Sequence, residues 1–520
     1  MLRIKKGTQL ALSTMLLWST MLAACSTAKP AEQGSAPAKE EPKTTANSAQ
    51  TGTGSDLKPY KLVMIFPSGV VPKDLPLVQD EMSKYLTEKI NATIEIRPID
   101  WGAWQNKTNL MFASQEQFDL MFTASWYGLG QQAAKGQIIP LDDLIAKHGQ
   151  GIKSVLDPAY VEGGKLNGKS YGVVANKEFA ATKGVVMRKD LVEKYRFDLT
   201  AVKELKDLEP IFAKIKESEP GITPLQVKSD RSPASAILGY GMFDMLGDGP
   251  GVLDRNSKEL KVINMFETPQ FLEATKLMHK WYKLGYINKD GSTNKDSEFL
   301  AVKAGKAFAY GESMKPGFDM QETRNTGMPM TTVELTKPYT TTGDTTSAMF
   351  AIPNTSKDPD RAMMFLNLLY TDKYLLNLLD WGIEGKHYAK AGDNIIDYPP
   401  GVDAASVGYN LNLPWMFGNQ LNSYIWKTED PQIWDKYKKF NEGAQKSIAL
   451  GFVFDPEKVK NEIAATNNVV TEFTGGLYTG TLDPEVYIPK FVEKLKAAGL
   501  DKIIAEKQRQ LDEWAKTQKK

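Results

Sequence analysis

The sequence predicts an α/β fold in two domains, reached through an N-terminal segment that does not join the folded body. Three observations carry this. Apolar runs and helical spacings alternate from Tyr60 to Phe122, as a parallel sheet with covering helices requires. The foldable part, residues 58–514, is too long for one hydrophobic core. The 57 residues before it have the composition of a leader and a tether.

The elements follow in order. Tyr60-Lys61-Leu62-Val63-Met64-Ile65-Phe66 predicts a buried strand that stops at Pro67-Ser68-Gly69. Residues 74–89 space Leu77, Met82, Tyr85 and Leu86 as a helix does. Asn91-Ala92 turns into a second strand, Thr93 to Arg97, and a helix over 103–114 leads to a third, Phe118 to Phe122. Further on, Gly184 to Met187 and Lys306 to Tyr310 are strands. Residues 269–284 form an amphipathic helix with Phe271, Leu272, Leu277, Met278 and Trp281 inward, 358–380 a helix pair, and 484–517 a charged helical tail. In such sheets ligands bind beyond the carboxyl ends of the strands, so the loops at Pro67-Ser68, Asp100-Trp101 and Thr123 to Tyr127 are the first places to look for a site.

The N-terminus sets the compartment. Arg3, Lys5 and Lys6 precede an apolar run, Leu10 to Ala24, too short for a membrane-spanning helix, which needs ~20 apolar residues. The run ends Leu22-Ala23-Ala24-Cys25-Ser26, which resembles a bacterial lipobox: residues 1–24 are a signal peptide and Cys25 takes the lipid. Cys25 is the only cysteine, so no internal disulfide competes for it. Several acyl chains, diacylglycerol and palmitate, suffice for stable anchoring. Residues 25–57 then form a flexible tether of small and polar residues. Loss of Arg3, Lys5 and Lys6 takes the 64 basic residues to 61 against 63 acids, a net charge of −2, and no basic tract points to nucleic acid.

Several stretches resemble the extracellular solute-binding proteins of ABC importers, in the family of maltose-type receptors. Ile99-Asp100-Trp101, Asn109 to Ser114 and Phe118 to Phe122 resemble its first-lobe signature. Gln137 to Leu144 contains the family's Pro-Leu-Asp, Asn167 to Val173 its hinge approach, and Met187-Arg188-Lys189-Asp190-Leu191 the start of its second lobe. Asp380 to Tyr388 and Trp415 to Gln420 resemble a narrower LplA-like Firmicute branch with an uncharacterised C-terminal module. The resemblance implies a two-lobe periplasmic-binding-protein-like fold of type II, a hinge between lobes and a C-terminal helical extension. By that analogy lobe one holds 58–180 and 307–340, and lobe two holds 181–306 and 341–520 with the module. It also implies a monomer without cofactor, lipid-anchored on the extracellular face of a Gram-positive membrane, that passes a carbohydrate to membrane permease subunits.

Sugar sites pair flat aromatic rings, which cover the apolar face of a pyranose, with polar groups for its hydroxyls. On that chemistry Ser68, Trp101, Trp126, Tyr127, Asp344, Trp381, Glu384 and Trp415 are the candidate ligand contacts. Trp281, Trp434 and Trp514 lie at helical spacing and read as core. Glu384 has two readings, hydroxyl acceptor or turn cap, and His387 two, cleft lining or loop support. The run from Asn288 to Glu298 alternates oxygen ligands as a calcium loop does but lacks its sixth-position Gly and twelfth-position Glu, so it has two readings, a solvated turn first and a calcium loop second. The alternatives to transport are a lipid-anchored carbohydrate-active enzyme and a sensory or adhesion lipoprotein. No carboxylate pair stands out for glycoside hydrolysis, and neither a Gly-x-Ser-x-Gly elbow nor a phosphate-binding loop is present. His148, His279 and His387 are too scattered for a His-rich zinc site.

Overall fold

The computed structural model describes residues 57–518, apart from 163, 164, 167, 296, 297 and 405. The signal peptide, Cys25 and the tether up to residue 56 lie outside the described residues, as do Asn167, Asp296 and Ser297. Among the described residues no helix is long and apolar enough to cross a membrane.

Two sheets organise the folded body. The first contains β1 (Tyr60–Ser68), β2 (Ala92–Asp100), β3 (Leu120–Thr123), β4 (Val173–Val174) and a late strand, β9 (Met349–Ala351), in the order β2-β1-β3-β9-β4. The second contains β5 (Thr182–Arg188), β6 (Thr223–Gln226), β7 (Ala307–Met314) and β8 (Met330–Glu334), in the order β8-β5-β7-β6. β1 pairs parallel with β2 and β3, as the alternating start predicts. β9 runs antiparallel to both β3 and β4 because the chain re-enters this lobe from the other one.

β1 is an inner strand, and its run from Leu62 to Phe66 is buried on both faces. Helix α1 (Leu75–Ile90) covers it with Leu75, Val78, Met82, Leu86 and Ile90. This phase differs from the predicted one, since Leu77 is exposed. α2 (Trp104–Ala113) follows β2 and buries Trp104, Met111 and Phe112. In the second lobe α3 (Pro269–Lys283) buries Phe271, Met278 and Trp281. Leu272 and Leu277 contribute less than expected, with only Leu277 partly packed against that core.

The lobe boundaries differ from those the resemblance implied. Residues 307–340, expected in lobe one, supply β7 and β8 to the second sheet, with β7 between β5 and β6. Residues 348–417, expected in lobe two, build the first core through β9, α4 (Pro359–Thr371) and α5 (Lys373–Trp381). Which sheet a short apolar strand joins is a matter of long-range pairing, and its local sequence carries no label for it.

Among the described residues the chain therefore crosses between lobes three times, and the crossings lie side by side. Ala181 bridges Tyr339, and Tyr339–Thr340 pair in parallel with Gln445–Lys446. The side chain of Asn441 on the third crossing accepts from Phe179 N at 2.8 Å and donates to Lys177 O at 2.7 Å on the first. After the third crossing, α6 (Lys460–Tyr478), α7 (Pro484–Ala497) and α8 (Leu500–Gln518) pack on lobe two. Phe473, Leu477, Phe491, Leu495 and Leu500 join its core.

Candidate functional site: an aromatic row along an interlobe trough

The carboxyl ends of β2 and β3 present three of the predicted rings. Asp100 Oδ1 accepts from Gly102 N at 2.9 Å and Ala103 N at 3.3 Å, which turns the chain sharply and places Trp101. After β3 the chain makes one 3-10 turn, Ser125–Tyr127, stopped by Gly128 at φ 79°. That turn is tied to the second crossing: Ser125 N donates to Thr346 O at 3.0 Å, and Trp126 Nε1 to Ser347 O at 2.9 Å.

Trp415 arrives from far along the chain to complete the group. Trp101 is stacked with Trp126 at 6.3 Å, with Tyr127 at 6.4 Å and with Trp415 at 6.4 Å, at interplanar angles of 21°, 20° and 15°. All four rings surround Phe122, which meets Trp101, Tyr127 and Trp415 edge-on. Trp104, buried, braces Phe122 and Tyr127 from below. Trp126 is 55 % exposed, open area that a ligand can cover.

Asp380 holds Trp415 in position. It is fully buried; its carbonyl accepts from Leu411 N at 3.1 Å and its Oδ1 from Leu413 N at 2.8 Å, fixing the loop before Trp415. Burial pushes its carboxyl up to about 8.

Three cavities adjoin one another near this row; Trp415 borders the first and Trp126 the third, while Trp101 lines none of them. The one at the Trp415 end has a volume of about 320 Å³ and lies between Trp415 and Trp381 on one side and Lys315, Met320 and Arg324 of lobe two on the other. The middle one, about 240 Å³, shares Lys315 with the first and is otherwise lined by 177–181, Ser313, Met314, Phe318, Asp344 and Ser347. The one at the Trp126 end, about 330 Å³, shares Asp344 with the middle and is bounded by Trp126, residues 244–248, 341–344, Thr346, 452–454 and Pro456. Together they form a trough whose walls come from both lobes and all three crossings.

Several charges in the trough are paired. Arg324 meets Glu429 at 3.0 Å. Glu178, on the first crossing, lies 2.9 Å from Lys315 of lobe two and 3.8 Å from Lys177. Burial pushes the Glu178 carboxyl up, but the two ammonium groups outweigh it and hold it at about 2. Asp344 ends a capping box in which Thr341 N and Oγ1 donate to its Oδ2 at 2.8 and 2.7 Å.

Of the other candidates, only Trp381 borders the trough. The buried Ser68 hydroxyl serves its own turn, donating to Val70 O at 2.8 Å. Trp381 is buried, donates from Nε1 to Ser423 Oγ at 2.9 Å, packs edge-on to Trp426 and forms the floor of the Trp415 end. Glu384 sits in a surface turn, paired with Lys390 at 3.2 Å, and lines none of the three cavities. His387 supports that loop: its buried Nδ1 accepts from Ile383 N at 2.8 Å while Nε2 faces Asp74 Oδ2 at 3.2 Å. In the 288–298 run, Asn288 Oδ1 is occupied by Val227 N at 2.8 Å.

Residues 81–382 match the bacterial extracellular solute-binding protein family. A carbohydrate ABC transporter substrate-binding protein of Streptococcus pneumoniae is 31 % identical over 91 % of this chain and 94 % of its own length. The chain belongs to the bacterial extracellular solute-binding proteins. Residues 448–516 match a separate domain of unknown function. Among solved structures, the N-glycan transport solute binding protein of S. pneumoniae is 31 % identical, covers 89 % of this chain and 100 % of its own, and superposes with a TM-score of 0.79. Its complex with Man5GlcNAc, again 31 % identical over 88 % of this chain and 99 % of its own, gives 0.67. The type II two-lobe architecture of this solute-binding fold thus agrees with the one the resemblance implied.

The sequence reading missed several trough residues. Asp244, at the Trp126 end, is buried, and its Oδ1 accepts from Leu246 N at 3.1 Å. Burial raises its carboxyl, with the Ser447 hydroxyl acting the other way. The Gly247 to Gly251 run marks a loop in the sequence, but nothing there says that it lines a site. Lys315 and Arg324 lack even that signal.

Proposed function

We propose that this protein captures an oligosaccharide outside the cell, anchored by lipid on Cys25, and delivers it to an ABC permease without chemical change. The observation that carries this reading is the row Trp126, Trp101, Trp415 beside a trough bounded by both lobes. Near-parallel rings at successive spacings of 6.3 and 6.4 Å offer repeated apolar faces to a chain of pyranoses. Arg324, Asp344 and Asp244 are at hand for hydroxyls along the same line.

The relatives support the choice of ligand: one is a carbohydrate ABC transporter substrate-binding protein, another an N-glycan transport protein with a Man5GlcNAc complex. That relative's two structures superpose on this chain with scores of 0.79 and 0.67, so its shape differs between them, which fits a hinged protein. The parallel crossings at 339–340 and 445–446 are where such a hinge would bend here.

A thermal-shift and calorimetric panel of N-glycans, other oligosaccharides and peptides tests this on residues 57–520. Ligand at 100 times Kd adds ~2.7 kcal/mol to the folded state and raises Tm by a few degrees. The expected result is a shift with a glycan that mass spectrometry recovers intact. A cleaved glycan, or a shift with peptides alone, overturns it.

A further inference from the structure

We propose that the C-terminal module is part of the ligand site and selects for oligosaccharides long enough to reach past Trp126. The inference rests on the carbohydrate-binding reading above and extends it to residues 448–516, whose family is of unknown function.

Two observations carry it. First, the module supplies a wall of the trough. The segment from Phe452 to Pro456 borders the Trp126 end, opposite the 125–131 loop of lobe one. No wall of the Trp415 end comes from the module.

Second, the module holds the neighbouring wall in shape through one residue. Lys507 on α8 is completely buried. Its ammonium donates to the carbonyls of Gly251 at 2.8 Å, Gly249 at 2.9 Å and Met245 at 3.2 Å, and a fourth, Gly247 O, lies at 3.5 Å. The Phe454 ring, itself part of the cavity wall, closes the cage at 5.3 Å. The loop curls around this charge with Leu246, Gly247, Gly249 and Gly251 all at positive φ. Carbonyls turned inward in this way need donors between them, and Lys507 Nζ supplies these even though burial pushes its pKa down to about 7. Residues 244–248 of the same segment line the cavity. Lys507 is thus a positioning residue: it touches no ligand and sets the width of the Trp126 end.

A ligand confined to Trp101 and Trp415 feels none of this, whereas one that continues past Trp126 meets both walls. The test compares the wild type, Lys507→Met and Val453→Trp by calorimetry against Man5GlcNAc and the disaccharide mannosyl-N-acetylglucosamine. Lys507→Met removes the charge at similar length. Val453→Trp fills the cavity from the module side and leaves the cage intact, which keeps the test valid if the first variant folds poorly. The expected result is that the wild type binds the longer glycan more tightly and that each folded variant loses tenfold or more for it, with disaccharide affinity unchanged within twofold. Equal losses for both ligands in Val453→Trp, or no loss for the longer one, overturn the inference and leave the proposed function standing. A wild type that binds neither glycan overturns the inference, while the proposed function stands or falls on the wider panel above.

Discussion

Trp126→Ala isolates what the aromatic row contributes to binding. A tryptophan side chain presents up to about 250 Å². Trp126 is 55 % exposed, so roughly 140 Å² of it is open to a ligand. A pyranose laid on one face covers about half of that. At ~25 cal/mol per Å² the contact is worth about 1.7 kcal/mol, a 10- to 20-fold change in Kd. Stability should change less conspicuously. The substitution removes one hydrogen bond, Nε1 to Ser347 O, and three ring contacts, of which Tyr127 at 4.4 Å is close and Phe122 and Trp101, at 6.1 and 6.3 Å, are looser. Together they contribute about 2 kcal/mol, a few degrees of Tm at most in a chain of this size. Calorimetric titration with Man5GlcNAc, beside the exposed Leu110→Ala on α2 as control, reads the effect. A Kd within twofold of wild type in a folded Trp126→Ala protein refutes stacking at this ring, and an equal loss in the control refutes its specificity.

Three further outcomes follow from buried groups. Glu178→Gln should lower stability by about 3 kcal/mol at pH 7, because it removes the charge that pairs with Lys315. The wild-type carboxylate is held at about 2, so its contribution is complete above the ordinary carboxylate range and is lost as pH falls towards 2. Urea midpoints of wild type and variant should therefore converge between pH 4.5 and 2, and a constant gap sinks the argument. Asp380 works in the opposite direction: its carboxyl is raised to about 8, so the folded chain binds a proton that the unfolded chain has lost, and stability declines as pH rises from about 4 towards 8. That amounts to about 4 kcal/mol at pH 7. Asp380→Asn keeps the acceptor for Leu413 N and adds an unpaired donor costing ~1–3 kcal/mol. It should come out about 1–3 kcal/mol more stable at pH 7, with a flatter pH profile, and equal Tm slopes between pH 5 and 8 would contradict this. Gly184→Ala should prevent folding or cost about 4 kcal/mol or more, since a Cβ there would sit 1.9 Å from Val333 O across the β5–β8 pairing. A soluble variant with wild-type Tm would show that the two strands part easily.

The sequence by itself determined what local periodicity and strand-end position encode. The run from Leu62 to Phe66, the spacing of Met82 and Leu86 and the order strand–helix–strand read correctly because burial imposes period two or 3.6 on any chain. The placement of Trp101, Trp126 and Tyr127 just beyond strand ends was legible from the strand order alone. Only the tertiary structure decided what depends on distant partners. It placed residues 307–340 in the second sheet, because β7 and β8 look alike to either sheet until they pair. It brought Trp415 onto Trp101 through a buried Asp380, and set Trp381 into the floor of the trough while leaving Glu384 on a surface turn. It also caged Lys507, a residue that in a charged helical sequence is indistinguishable from its exposed neighbours. A side chain's type is written locally; whether it meets water, a ring or four carbonyls is settled by segments hundreds of residues away.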